Sequence, residues 1–353
     1  MNHLKYLFFS LTAVLIIASC SYQPQTAKVE SAIKPVVITD TVEFDTDDPA
    51  IWINPADATK SLIVGTDKET NGGLYVFDLQ GKIVNKFTGM MRPNNVDVAY
   101  GFNFNGKIID IAATTERERN RVRIFSMPDL KPIDGGGLDV FSGEKENAPM
   151  GIAFYKRPSD NAFFLIVGRK DGPEDGYLWQ YRLGEQDGKL TWNLVRKFGK
   201  FSGKKEIEAI AVDNELGYVY YCDEQVGVRK YYADPDLNNN AEMALFGTTG
   251  FKSDHEGISI YKTSASTGYI LVSNQQANSF MIYPREGDQL HNRHYHRLIA
   301  EVPVSTNESD GSEVTPLNLG PQFPQGLFVA MSNGKVFHYY DWRDIAERAG
   351  LKK

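Results

Sequence analysis

The stretch DDPAIWINP at 47–55, followed by SLIVGTDK at 61–68, sets a two-strand pattern that recurs along this chain. Both halves have strand-like apolar character, and polar or charged residues begin the first half and end the second. The first half recurs as NVDVAYGF at 95–102, MGIAFYK at 150–156, IEAIAVDN at 207–214, HEGISIYK at 255–262 and SEVTPL at 312–317. The second half recurs as IIDIAATTER at 108–117, FFLIVGRK at 163–170, YVYYCDE at 218–224, YILVSNQQ at 269–276 and GLFVAMSN at 326–333.

Repeats of roughly 50 residues with several strands each are typical of propeller blades rather than of helical solenoids. Six copies therefore predict an all-β fold, a six-bladed β-propeller. We expect VVITDTVEF at 36–44 to add an outer strand to the last blade, because an open ring would leave strand edges unpaired. The run KVFHYYDW at 335–342 should complete that blade, and RDIAERAG at 343–350 is typical of a short terminal helix.

Composition agrees with one large all-β domain. The chain has 353 residues, 12% of them aromatic, and 31 glycines. A formal net charge of −7 argues against a nucleic-acid surface, which would need a basic stripe. We expect a monomer that binds no nucleic acid.

The first residues are predicted to be a targeting signal. Lys5 precedes the apolar run LFFSLTAVLIIA, and Ala18 and Ser19 then precede Cys20. This order is typical of a bacterial lipoprotein signal, so we predict a signal peptide at 1–19 and lipid on Cys20. The alternative is an ordinary secretory signal with an incidental cysteine.

The residues that follow are predicted to link a lipid anchor to the propeller. We expect a flexible tether at 20–34 and the propeller domain at 35–353. The chain would then be a cell-envelope lipoprotein that meets the membrane only through its anchor. Ser21, rather than Asp, after the cysteine favours the outer membrane. With lipid on Cys20, Cys222 is the only free thiol in such a mature chain, which excludes an intramolecular disulfide.

Charged residues occupy matching places in the repeats. Acidic side chains stand at or just before the first strand of a unit, and acidic or basic ones stand just after the second. Because the start of one antiparallel strand and the end of the next share an edge, all of them should line one end of the propeller. Carboxylates crowded around one axis repel each other unless cations intervene. A site with carboxylates and without His or Cys favours a hard cation, above all Ca²⁺.

Seven blocks, in order, resemble the β-propeller phytases, the bacterial calcium-dependent 3-phytases. They are DTDDPAIW, GTDKETNGGLYVFDLQGK, NNVDV, EIEAIAVDNELGYVYYCDE, SDHEGISIY, VSNQQANSFMIY and SDGSEVTPLNLGPQFPQGLFVA. The resemblance implies metal-site carboxylates at Asp47, Asp48, Glu208, Glu224, Asp254, Glu256 and Asp310. Among these, Asp48, Glu208, Glu224 and Asp310 are the predicted catalytic residues. It also implies that Lys68, Arg117 and Lys170 hold substrate phosphates.

The same resemblance implies an activity. Several Ca²⁺ ions would activate the water that attacks phosphorus in phytate, myo-inositol hexakisphosphate, and the substrate would be phytate or calcium-phytate. One position departs from the family's sequence pattern, and another can be aligned with it in two ways. Met150 stands where the family often has Tyr, and Arg119 is an alternative to Arg117 in the charged stretch 116–121.

Two other functions fit a six-bladed propeller with acids at its mouth. One is another calcium-dependent hydrolase, such as a lactonase, which would need few cations beside its metal. The other is a non-enzymatic surface propeller that binds a partner or a glycan, because propellers carry many functions. The cations Lys68, Arg117 and Lys170 favour a phosphate substrate over a lactone, and the fold alone does not exclude a binding propeller.

Overall fold

The computed structural model of the chain describes residues 31–288 and 292–351. The predicted signal peptide, Cys20 and most of the predicted tether lie outside the described residues. The described residues from Ala32 onward belong to one compact unit. Among them, no helix combines the length and the apolar character needed to cross a bilayer.

The described residues form six antiparallel sheets, which confirms the predicted six-bladed, all-β propeller. Blade one contains Thr46–Trp52, Leu62–Asp67, Gly73–Phe77 and Ile83–Thr88. Blade two contains Pro93–Phe104, Lys107–Glu116, Arg121–Met127 and Leu138–Asp139, and the short strand Lys131–Pro132 also pairs with Arg121–Met127. Blade three contains Pro149–Lys156, Phe163–Arg169, Asp175–Gln186 and Lys189–Lys200.

The second half of the chain builds the remaining blades in the same way. Blade four contains Ile210–Asp213, Tyr218–Asp223, Gly227–Tyr232 and Ala244–Phe246. Blade five contains His255–Lys262, Gly268–Asn274, Ser279–Pro284 and Ala300–Pro303. Blade six contains Ser312–Thr315, Leu327–Ser332, Val336–Asp341 and, at its outer edge, Val37–Ile38. Each pair of consecutive predicted halves is the first and second strand of one blade.

The first strands of the six blades contact one another in a closed ring. This ring surrounds a cavity of about 510 Å³, which we call the central channel. The apolar core lies between blades rather than within one of them. Each of six buried clusters joins two consecutive blades, as Ile111 of blade two and Leu165 of blade three do. Burial of both sheet faces explains why the strands read as near-continuous apolar runs.

The N-terminal strand closes the ring, as predicted. Val37 pairs with Tyr339 and Ile38 with His338, so this strand covers the outer edge of blade six. Packing begins earlier than the expected start of the domain. The amide of Ile33 donates to the carbonyl oxygen of Pro303 at 3.0 Å, and the Ile33 side chain joins the core between blades five and six.

The predicted terminal helix spans Trp342–Arg348 and begins one residue before the predicted run. Asp341 caps it, because its carboxylate accepts from the amide of Arg343 at 2.9 Å. The indole of Trp342 stacks on Tyr261 with ring centroids 3.6 Å apart. The helix thereby covers apolar surface of blades five and six.

Four of the first strands begin with a β-bulge. The pairing shifts between Thr46 and Pro49 in blade one, and at equivalent places in blades two, three and five. Bulges re-aim side chains and are common next to active sites. Here they contain polar pairs such as Asp47 and Asp48, whose side chains consequently enter different surroundings.

Glycines let neighbouring first strands approach closely at the same end of the ring. A Cβ on Gly151 would lie 1.9 Å from the carbonyl oxygen of Glu208. One on Gly311 would lie 2.3 Å from Oδ1 of Asp48. Any side chain at these positions would push apart the strands that carry the acids.

Gly151→Ala is therefore expected to destabilise the propeller by about 1–3 kcal/mol, as overpacking typically does. Thermal unfolding followed by circular dichroism measures this. Gly168→Ala is the control, because its added Cβ would lie 3.3 Å from its nearest neighbour, the carbonyl oxygen of Ile207. Equal melting temperatures for the two variants would contradict the close-approach explanation.

Candidate functional site

One end of the ring, where the first strands begin and the second strands end, gathers most of the predicted site residues. We call this end the mouth. Its polar side chains form a contiguous network of contacts among Asp47, Lys68, Asn94, Arg117, Lys205, Glu208, Glu224, Asp254, Glu256, Gln275 and Asp310.

Three glutamates form the centre of the mouth, and we call them the glutamate triplet. Glu208, Glu224 and Glu256 each offer a carboxylate oxygen, and these oxygens all lie within 4.8 Å of one another. Glu208 and Glu256 belong to or precede first strands, whereas Glu224 directly follows the second strand of blade four. Oε1 of Glu224 and Oε2 of Glu256 are buried and have no hydrogen-bond partner among the described residues.

Lys68 lies among a second set of acids. Its Nζ is 3.0 Å from Oδ1 of Asp47 and 3.8 Å from Oδ2 of Asp45, and it also forms a short ion pair with Asp310. Burial alone would lower the pKa of Lys68, but the attraction of Asp47 and Asp310 outweighs burial and raises it. The ammonium group is therefore held charged.

Lys205 lies in the same way against the glutamate triplet. Its Nζ is 2.6 Å from Oε2 of Glu224, 2.8 Å from Oδ2 of Asp254 and 3.5 Å from Oε1 of Glu256. The structure thus places one lysine in each of two groups of three acids.

Asn94 and Arg117 connect the acids around Lys68 to Glu208 of the glutamate triplet. Nδ2 of Asn94 donates to Oδ2 of Asp47 and to Oε1 of Glu208, both at 2.9 Å. Nη2 of Arg117 lies 3.5 Å from the same Glu208 oxygen, and it also donates to Oδ1 of Asn94. Asp310 joins the network from blade six, because its Oδ1 accepts from Nε2 of Gln275 at 2.6 Å.

Burial, and then repulsion between neighbouring acids, raises the pKa of several acids at the mouth. Burial, followed by repulsion from Asp47 and Asp310, raises the pKa of Glu208 to about 7. Burial and the nearby Glu208 raise the pKa of Glu224 to about 8 even though Lys205 lowers it. Burial and repulsion from Glu208 and Glu224 also raise the pKa of Glu256 well above its ordinary value. Near neutral pH these carboxylates carry charge only at an energetic cost.

The acids at the edges of the triplet differ from one another. Burial raises the pKa of Asp310 to about 7, against the attraction of Lys68. Burial acts on Asp254 too, but hydrogen bonds from Lys205, Gln225 and others outweigh it and lower the pKa of Asp254 to about 2.

Asp48 is placed apart from the triplet. Its Oδ2 accepts from the amide of Val96 at 3.0 Å, and the residue lines the central channel. Burial raises the pKa of its carboxyl group well above the ordinary value. The bulge explains this placement, because Asp47 contacts Lys68 at the mouth while its neighbour lies against the channel.

The predicted phosphate-holding residues lie at different depths. Arg117 is only 12% exposed and contacts the network, whereas Arg119 is exposed. Lys170 is 50% exposed and pairs with Glu206, whose Oε2 is 2.9 Å from its Nζ. The backbone carbonyl of Met150 accepts from Oγ1 of Thr115 at 2.7 Å, and its side chain is buried.

Sequence reasoning missed Asn94, Gln275 and Lys205. A signal existed for two of them. Asn94 stands in the NNVDV block at the bulge position that Asp47 occupies in blade one. Gln275 follows a second strand, as Lys68 does. Lys205 lies in the loop before blade four, outside the repeated phrase, so the repeat gave no indication of it.

The glutamate triplet fits a calcium ion. Calcium binds six to eight oxygens at about 2.3–2.6 Å, so ligands on opposite sides of one ion lie up to about 5 Å apart. Oxygens within 4.8 Å of one another meet this requirement. The two unpartnered carboxylate oxygens supply acceptors that a cation would satisfy.

A propeller whose mouth collects buried carboxylates beside Lys and Arg has the parts of a metal-assisted phosphate hydrolase. Comparison with known proteins also indicates a phosphate hydrolase. The family model described as Phytase matches residues 4–342, and the chain belongs to the phytase family. The 3-phytase of Bacillus subtilis (strain 168) is 29% identical over 324 residues, which cover 86% of this chain and 81% of that protein. The chain is accordingly a phytase enzyme.

A solved structure also shares the architecture. It is described as a calcium-binding protein, regucalcin, from Agrobacterium tumefaciens str. C58. Its TM-score is 0.53 at 11% identity, and the match covers 88% of this chain and 95% of that one. Similarity at this level shows a common fold alone.

The raised pKa values predict that the acids at the mouth destabilise the metal-free protein at alkaline pH. Glu208 and Glu224, at about 7 and about 8, keep protons in the folded state that the unfolded chain has already released. The free energy of unfolding therefore falls as pH rises from 4.5, the ordinary pKa of a glutamate, to about 8. Lys230, whose burial lowers its pKa to about 7, acts in the opposite direction, so the test compares variants.

Glu208→Gln should raise the melting temperature of the metal-free protein by roughly 2–5 °C at pH near 8.5, with less effect at about pH 5. Differential scanning calorimetry in chelator-treated buffer measures this. Asp139→Asn, a change at an exposed acid of blade two, is the control and should leave the melting temperature unchanged. A fall in the melting temperature of Glu208→Gln at the alkaline pH would show that the charges stabilise the metal-free site.

Proposed function

We propose that this protein releases phosphate from phytate in a reaction that requires several bound calcium ions. The glutamate triplet is the observation that carries the proposal. It offers three buried carboxylates within reach of one cation, and two of their oxygens have no hydrogen-bond partner in the described part of the chain. Family membership supports the substrate.

The residues of the mouth would share the work as follows. Glu208, Glu224 and Glu256 would hold one ion, with Asp254 beside them and Asp47 and Asp310 across the network. Calcium bound there would neutralise phosphate oxygens and lower the pKa of a bound water molecule. In this arrangement the acids would act as metal ligands, and the raised pKa values of Glu208, Glu224 and Glu256 make these three carboxylates effective acceptors for a cation.

The basic residues would bind and orient phosphate. Arg117 is held by Asn94 and the carboxylate of Glu208, which fixes a guanidinium group at the mouth. Its planar fork suits the paired oxygens of a phosphate group. Lys170 stands farther out, half exposed, where it could reach a neighbouring phosphate of the same inositol ring. Lys68 would complete the set once metal takes over the charge of its acids.

Metal also resolves the conflict between an acidic mouth and a polyanionic substrate. Without cations the acids of the mouth would repel phytate. Bound divalent ions dominate the local field and would make the same surface attract phosphate. The ions could arrive with the substrate as calcium-phytate.

The two alternative functions are less well supported. A lactonase-like hydrolase has no use for the fixed Arg117 beside its metal, and a purely binding propeller does not explain the unsatisfied glutamate oxygens. Membership of the phytase family also favours phosphate-ester hydrolysis over both.

Phosphate release from phytate by the purified protein should fall at least about 100-fold when calcium is removed by excess chelator, because the acids would then repel substrate. Released inorganic phosphate is measured, and calcium added back is the control. Full turnover in chelator would overturn the calcium requirement.

Substitutions at the mouth separate metal ligands from phosphate ligands. Glu256→Gln should weaken calcium binding and lower kcat/KM for phytate about 100-fold or more. Lys170→Ala should mainly raise KM for phytate. Lys131→Ala, a change at an exposed lysine of blade two, should be neutral. Unchanged hydrolysis in Glu256→Gln would exclude the glutamate triplet as the metal site.

We further propose that the chain is a cell-envelope lipoprotein anchored through Cys20. The support is the apolar run that ends in Ala18, Ser19 and Cys20. Mass spectrometry of the mature N-terminus should find a lipid-modified cysteine, and Cys20→Ala should move the enzyme from the membrane fraction to the soluble fraction. An unmodified Cys20 in the membrane-fraction protein would contradict the proposal.

A further inference from the structure

Lys205 occupies a place that neither the repeat nor the proposed catalytic roles explain. Its Nζ lies 2.6 Å from Oε2 of Glu224 and 3.5 Å from Oε1 of Glu256, two members of the glutamate triplet. It also hydrogen-bonds Oδ2 of Asp254 at 2.8 Å. A single ammonium group thus contacts three acids at the place where a divalent ion would be held.

The ammonium group and a divalent ion cannot both bind these acids at the same time. Calcium needs oxygens at about 2.3–2.6 Å, and the ammonium group lies against Oε2 of Glu224 and Oε1 of Glu256, on the same two carboxylates whose other oxygens have no hydrogen-bond partner among the described residues. Two neighbouring positive charges would also repel each other strongly in a buried site. Metal binding therefore requires Lys205 to leave.

The structure gives Lys205 a way out. The residue lies in the loop between Lys189–Lys200 of blade three and Ile210–Asp213 of blade four, and its side chain is 34% exposed. A lysine side chain has a flexible four-carbon stem, so its head can turn into solvent without movement of the backbone. Lys68 does not occupy the same site as Lys205, because the three acids that Lys68 contacts do not belong to the triplet.

We propose that Lys205 is an internal counter-cation that neutralises the metal-free glutamate triplet and is displaced when a divalent ion binds. The inference rests on the proposed function, because it assumes that the triplet is a metal site. Lys205 then acts as a positioning residue that sets metal affinity. It holds the acids together without metal, and its displacement reduces the free energy gained when metal binds.

Calcium titration of metal-free protein by calorimetry tests the competition. Lys205→Gln should bind calcium about tenfold more tightly than wild type, which corresponds to about 1.4 kcal/mol. Lys204→Gln is the matched control. It removes the same charge from the adjacent, exposed position, which has no ion pair within the described ranges, and should change Kd less than twofold. Lys205→Arg keeps the charge and should stay near the wild-type Kd.

A second measurement uses the wild-type protein and does not depend on any variant folding. An amine-acetylating reagent followed by peptide mass spectrometry reports the accessibility of each lysine. Modification of Lys205 should rise several-fold when calcium is added, because the released head enters solvent, whereas modification of Lys204 should not change.

The outcomes separate this inference from the proposed function. Equal calcium affinity in Lys205→Gln and Lys204→Gln, with calcium-dependent phytate hydrolysis intact, would overturn the role of Lys205 alone. Weaker binding by Lys205→Gln, or constant acetylation of Lys205, would also overturn it. If wild type binds no calcium, both the metal-dependent function and the displacement of Lys205 are wrong.

Discussion

Repulsion among buried carboxylates at the mouth is the constraint on which the rest of the site depends. Glu208, Glu224 and Glu256 bring oxygens within 4.8 Å of one another, in surroundings that favour neutral acids. The charged form requires compensating cations, and the protein supplies Lys68, Arg117 and Lys205. Such a site lowers the stability of the metal-free protein and at the same time increases its affinity for divalent ions.

The propeller topology creates that convergence. Six first strands in one closed ring begin at the same end, so residues far apart in sequence meet around one axis. β-Bulges at the starts of four of these strands turn neighbouring polar residues in different directions. Gly151 and Gly311 allow the strands to come close enough for the acids to share one space. The apolar clusters between blades keep this arrangement fixed.

The repeat made the ring, the closing strand and the common mouth predictable, since each depends on a period visible in the sequence. It does not show which way a side chain turns at a bulge, and in the structure Asp48 lies against the channel while Asp47 contacts Lys68 at the mouth. The repeat also does not distinguish Arg117 from Arg119 as the phosphate ligand. Both residues belong to one helical turn, and only its geometry separates them. Lys205 lies in a loop outside the repeat, and no period marks such a residue.

The most direct test is the location of calcium itself, by anomalous scattering from crystals grown with the ion. If the glutamate triplet is the metal site, a calcium peak should lie about 2.3–2.6 Å from oxygens of Glu208, Glu224 and Glu256. Calcium bound elsewhere on an active enzyme, with those three carboxylates still paired only to protein groups, would contradict the account.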